Sequence, residues 1–342
     1  MTSPIGMQEK PGRGAVTGKA LETIVRRHLE LSNDQPVTLE EVIRHTNLNH
    51  IYKVQLTGRS IYVKVVPERP KRLPIALPRE RVFGEAEAMR KFQRHASGAV
   101  LVPDVLFVDE NEFVLGMTDV GRDRQVLFDV LDANYSLHVT QAPALGRALG
   151  AVHSGTAGIP PFRPAEHDRL LRAVIFQGLI APGAAAAFPQ LADRVLTEMA
   201  RRRECLVHAD LWGKNILVGE GIPPAIVDFE GAFVGDAAFD VATVLATSLL
   251  PVLSRAGQMH DCQDFAVRFL WHYREAYADP RLADEVLDRT FFYVGTLMAA
   301  RGFGPFAYPM SDESKLRLAL LARNLTEFPP ASPAEYAARI AR

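Results

Sequence analysis

The sequence predicts an α+β protein of two lobes, a small antiparallel sheet followed by a larger, mainly helical region. Short strand patterns crowd the chain before Val120, and helical periodicity dominates after it. Strand–helix alternation never persists, which argues against a doubly wound parallel sheet. The 342 residues, 48% hydrophobic and 23% charged, are enough for one large domain or two lobes with a sizeable core.

In chain order, residues 1–18 carry Pro4, Pro11, Gly6, Gly12, Gly14 and Gly18 without the apolar core of a signal peptide, so a flexible N-terminus is expected. Gly14 to Lys19 resembles a phosphate loop only superficially, because its glycines are one residue too close and Ala20 stands where a hydroxyl residue is needed. Residues 19–116 are assigned to the small lobe and 117–342 to the helical one. Strands are expected at 51–56, 60–66 and 113–117, the first two joined by a Thr57-Gly58-Arg59 turn. A proline-punctuated loop at 67–78 precedes a helix over 79–96. Leu145, Leu149 and Val152 share a face of a helix running into Gly155, and further helices are expected at 236–250, 264–277 and 315–328.

Two charges fall where apolar residues belong. Lys64 shares its strand face with Tyr62 and Val66, and Glu85 lies on the apolar stripe of its helix with Val82, Met89 and Phe92, whereas Glu87 falls among basic residues. A buried charge is tolerated when paired, so a Lys64–Glu85 ion pair is expected. Such a pair lets a strand lysine hold nucleotide phosphates.

The segment from His208 to Asn215, followed by Asp228, carries the chemistry. Asp210 sits two residues after His208, Asn215 five residues after Asp210, and Asp228 at the end of a hairpin built around Gly219-Glu220-Gly221. Phosphoryl transfer asks for a carboxylate to orient the attacking hydroxyl and hard oxygen ligands for magnesium. That spacing assigns Asp210 as base, Asn215 and Asp228 as Mg²⁺ ligands, and His208 as a brace for the loop. A zinc site does not fit, since no second His or Cys falls at ligand spacing here.

These motifs, with Gly235, Asp236 and Asp240 continuing them, resemble the phosphotransferase family of aminoglycoside, choline and 5-methylthioribose kinases. The resemblance implies a bilobal protein-kinase-like fold using ATP and Mg²⁺. The run Asn47 to Val54, the junction Met117-Thr118-Asp119 and the segment Asp228-Phe229-Glu230 look most like 5-methylthioribose kinases. The string Asp210-Leu211-Trp212-Gly213 also resembles fructosamine kinases. By resemblance, Asn49, Met117 and Asp119 join Lys64 and Glu85 at the nucleotide. Glu230 is a further metal ligand, Asp240 an anchor of the catalytic loop, and Arg301 and Trp212 contact the acceptor. Ala209 replaces a glycine of many members.

The implied activity is phosphorylation of a hydroxyl on a sugar-like acceptor. An aminoglycoside antibiotic or a fructosamine-type acceptor is the alternative, and a nucleotide-binding regulator without catalysis the rival of another class. A net charge of −1 gives no basic footprint for nucleic acid or an anionic membrane. No uninterrupted apolar run suggests a bilayer span. Cys205 and Cys262, the only cysteines, fit a reducing compartment. A cytoplasmic enzyme with a small-molecule partner, able to form a homodimer, is expected.

Overall fold

The computed structural model describes residues 18–42, 48–70, 76–253 and 258–340. Apart from Gly18, which opens a helix, the N-terminal segment lies outside the described residues, as do Asn47 and positions 71–75 of the proline-punctuated loop. The chain divides into two compact units, the first taking the described residues of Met1–Val82 with Val105–Asp119, the second Phe83–Asp104 with Val120–Arg342. Residues 83–104 thus group with the second unit, although the sequence boundary counts them in 19–116.

The first unit is built on a five-stranded antiparallel sheet of order β1-β2-β3-β5-β4. Its strands are β1 (Thr38–Val42), β2 (His50–Leu56), β3 (Arg59–Val65), β4 (Val105–Asp109) and β5 (Val114–Thr118). Gly58, at φ 77°, makes the tight turn between β2 and β3. Helix α1 (Gly18–His28) lays Leu21, Ile24 and Val25 into a cluster with Val54, Ile61, Val63 and Phe107. Alternation in β3 therefore sends Ile61 and Val63 to that core and Lys64 to the opposite face. Asp109 ties the end of α1 to the sheet, accepting from His28 Nε2 at 2.9 Å and pairing with Arg27.

The second unit begins within α2 (Arg81–His95) and is mainly helical. Its remaining strands form two small sheets, β6 (Gln125–Val126) with the hairpin β8 (Ile216–Gly219) and β9 (Ile222–Ile226), and β7 (Cys205–Val207) with β10 (Phe233–Gly235). The first helices are α3 (Leu127–Ala133) and α4 (Tyr135–Gly155). A continuous helical run follows, α5 (Ala165–Ala173), a π-helical stretch (Val174–Ile180) and α6 (Ala181–Ala187), then α7 (Pro189–Arg201). The rest are α8 (Ala237–Leu253), α9 (Met259–Ala276), α10 (Pro280–Phe303), α11 (Asp312–Glu327) and α12 (Pro333–Ile340).

Every residue of α8 is buried, which makes it the core of the unit, with α10 packed along it. Helices α4 and α9 approach closely because Gly146 and Gly150 offer no side chain. A Cβ there would fall 2.4 Å from the Phe269 carbonyl and 2.3 Å from that of Tyr273.

The run Ala165–Ala187 contains a stretch long and apolar enough, by length and composition alone, to cross a membrane. Arg172 within it is buried and donates to the Val234 carbonyl at 3.2 Å, so this run packs against β10 inside the unit.

Candidate active site

The site of the second unit is a loop held from behind. After β7 the chain leaves the sheet at His208, and Asp240, on fully buried α8, catches it. Its Oδ2 accepts the His208 N–H at 2.7 Å and its Oδ1 the Ala209 N–H at 2.8 Å. Two charge-assisted bonds to consecutive amides fix the loop's path, and they hold Ala209 at φ 63°, a left-handed conformation that favours glycine. His153 flanks the carboxylate at 3.4 Å and bonds Tyr273 Oη through its other nitrogen at 3.0 Å.

His208 is fully buried, with both ring nitrogens bonded to backbone. Its Nε2 donates to the Val227 carbonyl at 3.1 Å, and its Nδ1 accepts the Asp210 N–H at 3.3 Å, which assigns a neutral ring. Burial lowers its pKa against the opposing pull of Asp240, Asp210 and Asp228. The ring packs on Phe229 at 4.5 Å between centroids, and Phe92 of α2 meets both rings edge-on.

Asp210 is partly exposed, and its carboxylate is asymmetrically engaged. Oδ2 accepts Asn215 Nδ2 at 2.8 Å and lies 2.7 Å from Lys214 Nζ, leaving Oδ1 for a substrate. Asn215 also donates to the Asp210 carbonyl at 2.8 Å, so both amide hydrogens serve the loop and the amide Oδ1 remains to meet a cation. The Val227 N–H bonds the Asn215 carbonyl at 3.0 Å, bringing Asp228 alongside. Asp228 itself adopts φ 67°, ψ 68°, a sharp turn into the Phe229–Gly231 3₁₀ helix. Gly231 passes close to Asp210, where a Cβ would come within 3.7 Å of that residue's own.

Lys214 was not singled out by sequence reasoning. Burial pulls its pKa down, but the charges of Asp210, Asp228 and Glu230 outweigh this and hold it above the ordinary lysine value. A cation common to three acids thus sits at the Asp210 carboxylate. Its signal was its position one residue before Asn215. Arg163 also escaped notice; it donates to the Ala232 carbonyl at 2.9 Å and to that of Glu230 at 3.0 Å, clamping the segment after Asp228.

The donors fit a hard divalent cation. An amide oxygen and the Asp228 carboxylate, with Glu230 nearby, are oxygen ligands of the kind magnesium takes. No group of three His, Cys, Asp or Glu side chains suited to a metal occurs among the described residues. Magnesium does not require one, since it is commonly held by one or two carboxylates plus substrate phosphates.

Trp212 and Arg301 do come together. The Arg301 guanidinium lies 4.8 Å from the Trp212 ring centre and 6.0 Å from that of Phe128, which in turn meets Tyr308 at 5.9 Å.

The remaining sequence candidates lie in different units. In the first, Lys64 is 2% exposed, Asn49 accepts Arg81 Nη2 at 3.0 Å, and Met117 is buried on β5. Asp119 accepts Ser60 Oγ at 2.6 Å and lies 3.2 Å from Lys53 Nζ. In the second, Glu85 is 1% exposed, while Glu87 pairs with Lys91 at 3.0 Å, as the helical periodicity predicts.

Comparison with known proteins gives one family match. The model of the phosphotransferase enzyme family (APH) matches residues 40–281. No curated protein matches the chain. Among solved structures, the amicoumacin kinase hAmiN, in complex with AMP-PNP, Ca²⁺ and Ami, is similar with a TM-score of 0.53 and 17% identity, over 91% of this chain and 95% of that one. A microcompartment-associated aminopropanol kinase has a TM-score of 0.46 and 17% identity, over 93% of this chain and 98% of that one. A choline/ethanolamine kinase family protein from Mesorhizobium loti has a TM-score of 0.48 and 17% identity, over 94% and 99%. At such identities the likeness is one of fold.

Proposed function

The chain belongs to the phosphotransferase enzyme family, and on that premise we propose that it transfers the γ-phosphoryl group of ATP to a hydroxyl of a small, sugar-like acceptor. The observation that carries the reading is the divided Asp210 carboxylate, with Lys214 and Asn215 on Oδ2 and Oδ1 left open. Bound with a divalent cation, the nucleotide supplies the phosphoryl group and the cation neutralises charge developing on its oxygens.

Asp210 Oδ1 accepts the hydrogen bond of the acceptor hydroxyl, aims its oxygen at phosphorus and takes the proton late in transfer. Asn215 and Asp228 hold the cation, with Glu230 as a further ligand, and Lys64 neutralises nucleotide phosphates. Lys214 holds the Asp210 carboxylate in place while Asp240 fixes the loop from behind. The nucleotide analogue in the amicoumacin kinase complex supports the choice of nucleotide. A cytoplasmic location belongs to the same proposal and fits the free thiols of Cys205 and Cys262.

The test is acceptor-dependent ADP release over a panel of pentoses, 5-methylthioribose, fructosamines, aminoglycosides and amino alcohols, repeated with Asp210→Asn. The variant is expected to lose roughly 10²–10⁴ in kcat with little change in nucleotide affinity. Release independent of every acceptor, or undiminished in the variant, would reject the reading.

A further inference from the structure

Beside the catalytic carboxylate stands a cation with no acid of its own. Among the described residues the Arg301 side chain has no hydrogen-bond or ion-pair partner, and its Nε is buried without an acceptor. Its visible support is aromatic, from Trp212 at 4.8 Å and Phe128 at 6.0 Å. A guanidinium supported by a ring face keeps its N–H edges for a planar anion, which it recognises with two parallel bonds. Other buried or half-buried arginines of this unit are supplied with acceptors, Arg163 with two carbonyls and Arg289 with Asp236 and Glu204. Arg301 is the exception, and it is near enough to Asp210 for that charge to act on it. Asp210 is not its partner, because the carboxylate is already held by Lys214 and Asn215.

The aromatic residues give this place a shape. Trp212 is 8% exposed and immediately precedes the Gly213–Asn215 turn, so the loop that sets Asp210 also sets the indole. Gly213 lies under Phe128, where a Cβ would come 2.6 Å from the Phe128 ring. The Arg301 carbonyl accepts the Tyr308 N–H, which holds the chain after α10 beside Phe128.

We propose that the acceptor is an anionic alcohol, a sugar acid or hydroxy acid whose carboxylate or phosphate binds Arg301 while its hydroxyl is presented to Asp210. This rests on the kinase reading above and narrows its acceptor. A polycationic aminoglycoside would place ammonium groups against an uncompensated guanidinium, and a neutral sugar would offer hydroxyl acceptors but no charge to compensate it. The anion that Arg301 recognises could also be the phosphoryl group in transit, and the experiment separates the two sources.

Purified full-length protein is assayed with ATP and Mg²⁺ on matched pairs, ribonate against ribose, gluconate against glucose, and glycerate or 3-phosphoglycerate against glycerol, with 5-methylthioribose and kanamycin alongside. Binding is followed separately by fluorescence of Trp212 in a Trp271→Phe background. The acids are expected to bind and to exceed their neutral partners in kcat/KM by about 10- to 100-fold, the range of a charge-assisted hydrogen bond. Arg301→Met is expected to remove that preference mainly through KM, and Arg301→Lys to restore part of it, in variants whose Tm matches the parent.

An equal fall in kcat with acids, neutral alcohols and water in Arg301→Met would assign the arginine to the transferred phosphoryl group and overturn the proposal. Preference for neutral or cationic acceptors, or no binding of any acid, would overturn it while leaving the kinase reading intact. Arginine-dependent binding of acids without phosphorylation of any alcohol would do the reverse, upholding the anion site and rejecting the kinase reading.

Discussion

Lys214 Nζ lies 2.7 Å from Asp210 Oδ2, on the same oxygen that accepts Asn215 Nδ2 at 2.8 Å. Loading one oxygen with two donors leaves the other open, and under the proposed function this orients the base toward the acceptor hydroxyl without a further residue. Asp210, Asp228 and Glu230 together hold the Lys214 ammonium above its ordinary value although burial acts the other way. The charge is therefore fully present below the ordinary lysine pKa and is lost only as pH rises through the higher folded value.

Lys214→Met is accordingly expected to lower kcat by roughly 10- to 100-fold, the value of a charge-assisted contact, by the same factor at every pH from 6 to 9. Lys214→Arg should recover part of the loss. A pH–rate profile of both variants checks this. A defect that vanishes toward pH 9 would mean the lysine is already neutral there, contrary to its surroundings.

Metal dependence should reside in Asp228 and Asn215. Asp228→Asn is expected to abolish transfer at millimolar Mg²⁺, and Asn215→Ala to raise the Mg²⁺ concentration for half-maximal rate while also loosening Asp210, whose carbonyl and carboxylate it bonds. Titrating activity with Mg²⁺ and Mn²⁺ measures both. Parental activity persisting in excess chelator would remove the metal from the mechanism.

Loop anchoring has an energetic signature. Asp240→Asn replaces one accepting oxygen by a donor facing a backbone N–H, and its cost is expected to be about 1.5–3 kcal/mol. Ala209→Gly acts oppositely, because relief of a left-handed alanine, about 1–2 kcal/mol, exceeds the roughly 0.5–1 kcal/mol entropic cost of glycine. Urea denaturation should thus lower the midpoint for the first and leave it level or higher for the second. The reverse order would contradict the observed loop conformation.

Acid sensitivity should come in part from His138 in α4, stacked on Phe265 at 3.8 Å and bonded to Ser248 Oγ at 2.7 Å. Burial pushes this imidazole down to about 3. The unfolded chain takes the proton near pH 6.5, so between these values the unfolded state binds more protons and stability falls as pH drops. His138→Phe is expected to flatten the loss of stability between pH 6.5 and 4. Parallel curves for parent and variant in equilibrium unfolding would show that this ring does not control it.

The sequence by itself determined what is local. Asn215 reaches Asp210 across five residues, so the spacing alone reports the bond. Alternation in β3 and helical periodicity in α2 put Lys64 and Glu85 in buried positions, because strand and helix geometry fix side-chain direction without reference to the rest of the chain. The edge strands β1 and β4 escaped, since adjacent Glu40 and Glu41 break the alternation of one and the other is a continuous apolar run. Tertiary structure alone decided what crosses long stretches of chain. Asp240, given as a loop anchor by family resemblance and not by any local pattern, holds amides 31 and 32 residues earlier, Arg163 clamps carbonyls 67 and 69 residues later, and Arg301 rests on Trp212 without a local pattern to announce it. Residues 83–104 join the second unit for the same reason, because Phe92 finds its partners, His208 and Phe229, only when the chain has folded back. Local geometry is written in neighbouring residues, whereas such contacts depend on the whole packing that brings distant segments together.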